Sequence, residues 1–168
     1  MVILGIDPGY ALIGYGVISY DAGRFRTINF GAVTTSPNLS FPQRLEVIYR
    51  DINQLIKEFK PDALSIEKLF FNTNTTTAID VAQARGTILL AAQMNGVPIY
   101  EYTPLQVKSA VVGFGRAEKS QVMEMTRSLL SLAKVPKPDD TADALALAIC
   151  HANTGTGKFA QIMKGENK

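Results

Sequence analysis

The chain opens on Val2-Ile3-Leu4-Gly5-Ile6-Asp7, an apolar run that ends in an acid and is cut off by Pro8-Gly9. A run this short and apolar predicts a buried strand over residues 2–7, and Pro-Gly predicts a turn directly after it. A buried strand at the start of a chain needs a sheet to sit in and further layers to cover that sheet. The acid at its end is the second constraint, because burying an unpaired carboxylate is costly.

The elements that follow supply the sheet and the cover. Residues 13–20 and 24–35 read as two more strands, with Asp21-Ala22-Gly23 as the hairpin loop between them. Residues 41–59 read as a helix: Ser40 is placed to cap it and Pro42 sits in its first turn. Leu45, Ile48, Ile52, Leu55, Ile56 and Phe59 recur at three- and four-residue steps, and Pro61 ends it. Residues 62–67 form a fourth strand that again ends in an acid, Glu67, and residues 72–77 form a polar loop. A helix over 78–95 closes at Asn95-Gly96, a fifth strand spans 97–102, and Thr103-Pro104 opens a helix to Val112. A basic glycine loop, Gly113 to Arg116, leads to a helix over 118–132. A Pro-broken connector and an Ala/Leu-rich helix over 140–153 come last. The order is three antiparallel strands, then βα units, then helices. This predicts an α/β fold, a mixed sheet with helices on both faces. Residues 1–153 make one domain and 154–168 a mobile tail.

Scarcity excludes more than abundance. Of 168 residues, 46% are hydrophobic and 19% charged, which suits an ordinary globular domain. One cysteine rules out an internal disulfide or a Cys-rich zinc site, and one histidine rules out a His-pair metal site. Cys150 and His151 are helix neighbours that point about 100° apart, so they predict packing and not a nucleophile pair. No apolar run approaches the ~20 residues of a membrane span, and no basic segment precedes the first strand as in a signal peptide. A cytoplasmic location is expected.

The chemistry then falls to carboxylates. Asp7 and Glu67 stand at strand ends, where ligands commonly bind in α/β sheets. Asp140 and Asp143 open an Ala/Leu-rich helix; capping and dipole effects explain acids there, but the apolar setting of Asp143 asks for a positive partner. Carboxylates without histidine or cysteine suit hard cations such as Mg²⁺ or Mn²⁺. Two such ions could stabilise both oxygens of a phosphodiester displacement. The chain has 17 basic and 15 acidic residues. Gathering four acids in one site leaves a basic surface around it, which would attract a polyanion. Gly9, Gly14 and Gly16 do not form a dinucleotide fingerprint, and Gly155 to Lys158 fails the P-loop spacing.

Taken in order, Gly5-Ile6-Asp7-Pro8-Gly9, Ile66-Glu67 with Phe70, Gln83-Ala84-Arg85-Gly86, Gln106-Val107-Lys108, Val112 to Val122 and Asp140 to Ala146 are familiar. Across residues 1–153 the chain resembles the RuvC family of bacterial Holliday-junction resolvases. The resemblance implies an RNase H-like fold with a five-stranded mixed sheet. It also implies a homodimer that cuts a four-way DNA junction symmetrically with Mg²⁺, working beside a branch-migration motor. It implies that Asp7, Glu67, Asp140 and Asp143 are the catalytic carboxylates. Asp140 is favoured over Asp139 because the family pattern has an acid three residues before the last one. Lys108 and Lys119 match basic positions near the scissile phosphate, Arg116 belongs to the basic loop between them, and Phe70, or else Phe71, matches an aromatic that stacks on a base. The helix over 78–95, with Ala78, Ile79, Ala82, Gly86, Leu89, Leu90 and Ala92, is expected to build the dimer. Another RNase H-like nuclease is the leading alternative. A non-catalytic nucleic-acid-binding module fits the four acids poorly, and half of a sugar-kinase-like fold is disfavoured by length.

Overall fold

The computed structural model describes residues 1–69 and 77–155. The chain runs β1 (Val2–Asp7), β2 (Leu12–Asp21), β3 (Arg24–Thr34), α1 (Phe41–Phe59), β4 (Ala63–Glu67), α2 (Ala78–Met94), β5 (Ile99–Tyr102), α3 (Pro104–Val112), α4 (Lys119–Leu129) and α5 (Asp139–Gly155). Phe70, Phe71, the polar stretch up to residue 76 and the chain beyond 155 lie outside the described residues.

Local signals set most limits. The Ser40 backbone N–H donates to Gln43 Oε1 at 2.9 Å, closing the start of α1, and Lys60 takes a left-handed conformation just before Pro61. Thr103 Oγ1 accepts from the Gln106 N–H at 3.1 Å, and Gln106 Oε1 in turn accepts from the Thr103 backbone N–H at 2.8 Å, a capping box before Pro104. Ala22 and Gly23 both have positive φ, as a two-residue turn of this hand requires.

Several limits differ from expectation, most by one or two residues. The fifth strand starts at Ile99, because Val97 donates its N–H to Ala92 O at 3.0 Å and belongs to the end of α2. The fourth helix stops at Leu129, where Arg127 turns back to Leu132 O. The last helix starts one residue early, with Thr141 N–H on Pro138 O, and runs on to Gly155. There Thr154 Oγ1 donates to Cys150 O at 2.7 Å and to the Tyr102 hydroxyl at 3.2 Å.

The five strands form one mixed sheet in the order β3-β2-β1-β4-β5. β1, β2 and β3 pair antiparallel, and β1, β4 and β5 pair parallel. Strand parity sorts the side chains onto two cores. Leu4, Ile6, Ile13, Leu64 and Ile66 pack with α1 and α2 through Ile48, Ile52 and Ile88. Ile3 and Ile18 pack on the other face with Leu145 and Ile149 of α5, joined by Val111 and Val122.

Helix α5 lies over the middle of that second face and is buried nearly all round: Ala144, Leu145, Ala148, Ile149 and Cys150 are fully covered. Two strand glycines let it come this close. A Cβ on Gly5 would run into Ala144 O, and one on Gly14 into the carbonyl of Asp140. Side chains tie the contact: Ser65 Oγ donates to Leu147 O at 2.7 Å, and Thr141 Oγ1 to Gly31 O at 3.1 Å.

The sequence reading of α2 needs one correction. Ala92 is buried in this chain's own core and cannot line a dimer surface, since it falls on the α1-facing side with Ile88. The outer face of α2 keeps Ile79, Leu90 and Met94 exposed at 65%, 53% and 69%, with open space around Gly86. Among the described residues, no helix is long and apolar enough to cross a membrane.

Candidate active site

β1 and β4 are parallel neighbours, so both end at the same edge of the sheet. The last paired residues are Ile6 and Ile66, and Asp7 and Glu67 come one step beyond. Parity turns both acids to the α5 face, since Ile3 and Ser65 of the same phase contact that helix. The first turn of α5 then brings Asp140 and Asp143 over the strand ends, seated by Gly14, the register partner of Asp7.

Lys119, the first residue of α4, completes the cluster. Its Nζ lies 2.9 Å from Asp143 Oδ2 and 3.8 Å from Asp139 Oδ2. This is the positive partner that the apolar setting of Asp143 calls for. Asp139 instead bonds Lys137 at 2.6 Å, and that bond lowers its carboxyl below the ordinary range. Asp140 is among the acids that raise the Asp7 carboxyl. The two adjacent acids therefore differ in position: one belongs to the cluster and the other to the rim.

The electrostatics are those of crowded acids. Burial, then Asp143, Glu67 and Asp140, push the Asp7 carboxyl up to about 8, with Lys119 opposing. Burial and then Asp143 also raise Glu67, again against Lys119. Lys119 is itself raised, chiefly by its hydrogen bond to Asp143. Buried carboxyls that hold protons this tightly stand to gain from a cation.

The metal-donor atoms this cluster offers are all carboxylate oxygens, which suit a hard divalent ion. His151 lies eleven residues along α5 from Asp140, about 16 Å away. It is buried against the Tyr102 hydroxyl at 2.7 Å and the Tyr100 ring, while burial pushes the Cys150 thiol up to about 12. Both are packing groups, as expected. As the side chains stand, no three or more His, Cys, Asp or Glu among the described residues are placed so that they could together hold a metal ion.

Of the other expected site residues, Lys108 is half-buried on α3 and Arg116 is exposed before α4. Neither pairs with the carboxylates among the described residues. Phe70 lies outside them. Sequence reasoning missed Ser65 and Gly14 as the seats of α5, although the alternation of β4 and the glycines inside β2 both signalled a close approach. It also saw in Arg85 only part of a motif. That side chain reaches the backbone of Glu67.

Comparison with known proteins identifies the family of the chain. The family model for crossover junction endodeoxyribonuclease RuvC matches residues 3–151. A protein of Alkaliphilus oremlandii carrying that name is 54% identical over 164 residues, 98% of this chain and 99% of its own. The solved structure of Thermus thermophilus RuvC is similar at a TM-score of 0.86 and 38% identity, covering 92% of this chain and 95% of that one. The structure of T. thermophilus RuvC in complex with Holliday junction substrate is similar at 0.84 and 36%, with the same coverage.

Proposed function

The chain belongs to the RuvC family of crossover junction endodeoxyribonucleases, and on that premise we propose that Asp7, Glu67, Asp140 and Asp143 bind its metal and carry its chemistry. It is an RNase H-like nuclease that hydrolyses phosphodiester bonds at crossover junctions in DNA, and its family depends on divalent metal. The reading of the site rests on one observation: the parallel ends of β1 and β4 and the first turn of α5 bring these four acids together at one edge of the sheet, with Lys119 Nζ 2.9 Å from Asp143.

The metal proposed is Mg²⁺, two ions per site, with Mn²⁺ able to substitute, because every converging donor is a hard oxygen. When bound, the metal supplies positive charge and a water of lowered pKa. The protein's own part is placement. Asp7 and Glu67 present their oxygens from strand ends, and Asp140 and Asp143 close over them from α5. Lys119, kept protonated by Asp143, supplies charge to the scissile phosphate. Lys108 and Arg116 hold the DNA backbone from the α3–α4 side. Phe70 stacks on a base opened at the junction, a contact of about 1–3 kcal/mol.

The substrate proposed is a four-way DNA junction, cut at two symmetric positions by a homodimer. The exposed stripe of Ile79, Leu90 and Met94 on α2 supports that dimer, since two-fold symmetry matches two equivalent cuts. The chain through the end of α5, two residues beyond the expected limit at 153, acts as one nuclease domain, in the cytoplasm, beside a branch-migration motor.

The test is cleavage of a synthetic four-way junction against linear duplex and RNA–DNA hybrid, with and without Mg²⁺. Paired nicks in the junction alone, only with Mg²⁺, are expected. Equal cleavage of the hybrid overturns junction selectivity in favour of another RNase H-like nuclease.

A further inference from the structure

Arg85 belongs to α2, on the opposite face of the sheet from the carboxylate cluster, yet its side chain is only 12% exposed. Its Nε donates to the backbone carbonyl of Glu67 at 3.2 Å. Its Nη2 lies 2.9 Å from Glu101 Oε2 on β5. Nη2 is buried and makes no aligned hydrogen bond, so Glu101 holds the guanidinium by charge. An arginine covered to this degree is costly unless its charge and donors are used. This one is directed at the end of the strand that carries Glu67.

The neighbouring backbone is pinned as well. Lys68 donates its N–H to Tyr102 O at 2.8 Å, and Glu67 is the register partner of Tyr102. The Glu67 carbonyl is thus clamped from the α2 side while its carboxylate faces α5. The direction in which a side chain leaves a strand end follows the orientation of its peptide planes.

We infer that Arg85 is a positioning residue for the nuclease: by holding the Glu67 carbonyl it fixes the aim of the Glu67 carboxylate. The inference rests on Glu67 being a metal-binding carboxylate, as proposed above.

The test compares wild type, Arg85→Met, Arg85→Lys and Glu67→Gln. Junction binding is measured with Ca²⁺ in place of Mg²⁺, and nicking under single turnover with Mg²⁺. Mn²⁺ binding without DNA is followed by electron paramagnetic resonance. Arg85→Met is expected to slow nicking by about ten- to a hundredfold, the scale of a small misplacement of a catalytic group. Mn²⁺ affinity falls by about tenfold or more, while junction affinity and melting temperature stay near wild type. Arg85→Lys falls between, because one ammonium reaches one partner at a time.

Nicking by Arg85→Met within about twofold of wild type overturns the inference. So does a rate loss matched by an equal loss of junction affinity. If Arg85→Met melts well below wild type, Arg85→Lys carries the comparison, and a wild-type rate and Mn²⁺ affinity there overturn it. An inactive Glu67→Gln beside a fully active Arg85→Met removes this inference alone. A fully active Glu67→Gln removes the reading of the site and this inference with it.

Discussion

Asp7 stands opposite Gly14 in the β1–β2 register, and the space that Gly14 leaves by lacking a side chain is taken by the Asp140 carbonyl. One missing methyl group thus seats the helix that carries two acids beside the strand that carries another. Gly14→Ala is expected to push the start of α5 off the sheet, at a cost of about 1–3 kcal/mol, typical of overpacking. Nicking should fall further than that cost explains, because Asp140 and Asp143 move away from Asp7. Thermal melts and single-turnover cleavage of a synthetic junction, run on one preparation, measure both effects.

The Asp7 carboxyl predicts a pH dependence of known sign. It moves from 3.8 to about 8 on folding, so between those values the metal-free folded state binds more proton than the unfolded state. Stability from this group is fully present below about pH 4 and is lost as pH rises through 8. Asp7→Asn should flatten that slope in melts with EDTA and raise the midpoint near pH 8, by about 2–4 °C for each kcal/mol recovered. The variant should still bind junction and should not nick. Retention of the wild-type slope would show that Asp7 is not the group responsible.

Asp139 and Asp140 are adjacent, so substituting each in turn gives a paired test. Asp140→Asn should lower nicking by at least about a hundredfold, the usual scale for removing a preorganised electrostatic group. Asp139→Asn loses only rim contacts with Lys137 and Lys119 and should keep most of its rate. A reversal of these two phenotypes would move the metal ligand to Asp139.

Lys119→Ala removes the cation that opposes the acids. Its nicking rate should fall much more than its junction affinity if it meets charge that develops in the transition state. If it only grips the DNA backbone, affinity should weaken and the logarithmic salt slope should drop by about one unit. Salt-dependent binding and single-turnover rates separate the two.

The outer stripe of α2 can be tested without touching the site. Leu90→Glu puts a charge on an exposed apolar face and should turn a dimer into monomer in sedimentation at micromolar concentration, with little change in melting of the monomer. Paired nicking of one junction should then give way to single nicks. A dimer that survives the substitution would place the interface elsewhere.

Much of this was legible in the order of residues. Ser40 and Pro42 start a helix and Pro61 stops it, Ala22 and Gly23 turn a hairpin, and the acids at positions 7 and 67 mark two strand ends. Capping, turn chemistry and hydrophobic period act between chain neighbours, so neighbours are enough to read them. The sequence by itself therefore determined the element order, the mixed sheet and the all-oxygen character of the site. Only the tertiary structure decided that Lys119 is the partner of Asp143, that Asp139 bonds Lys137, and that Arg85 holds the carbonyl of Glu67. It also decided that Ala92 faces inward while Leu90 faces out. Burial and Coulomb interaction depend on distance in space. That distance was set by α5 settling onto Gly5 and Gly14, a contact between segments far apart in the chain, and not by anything in the residues beside each acid.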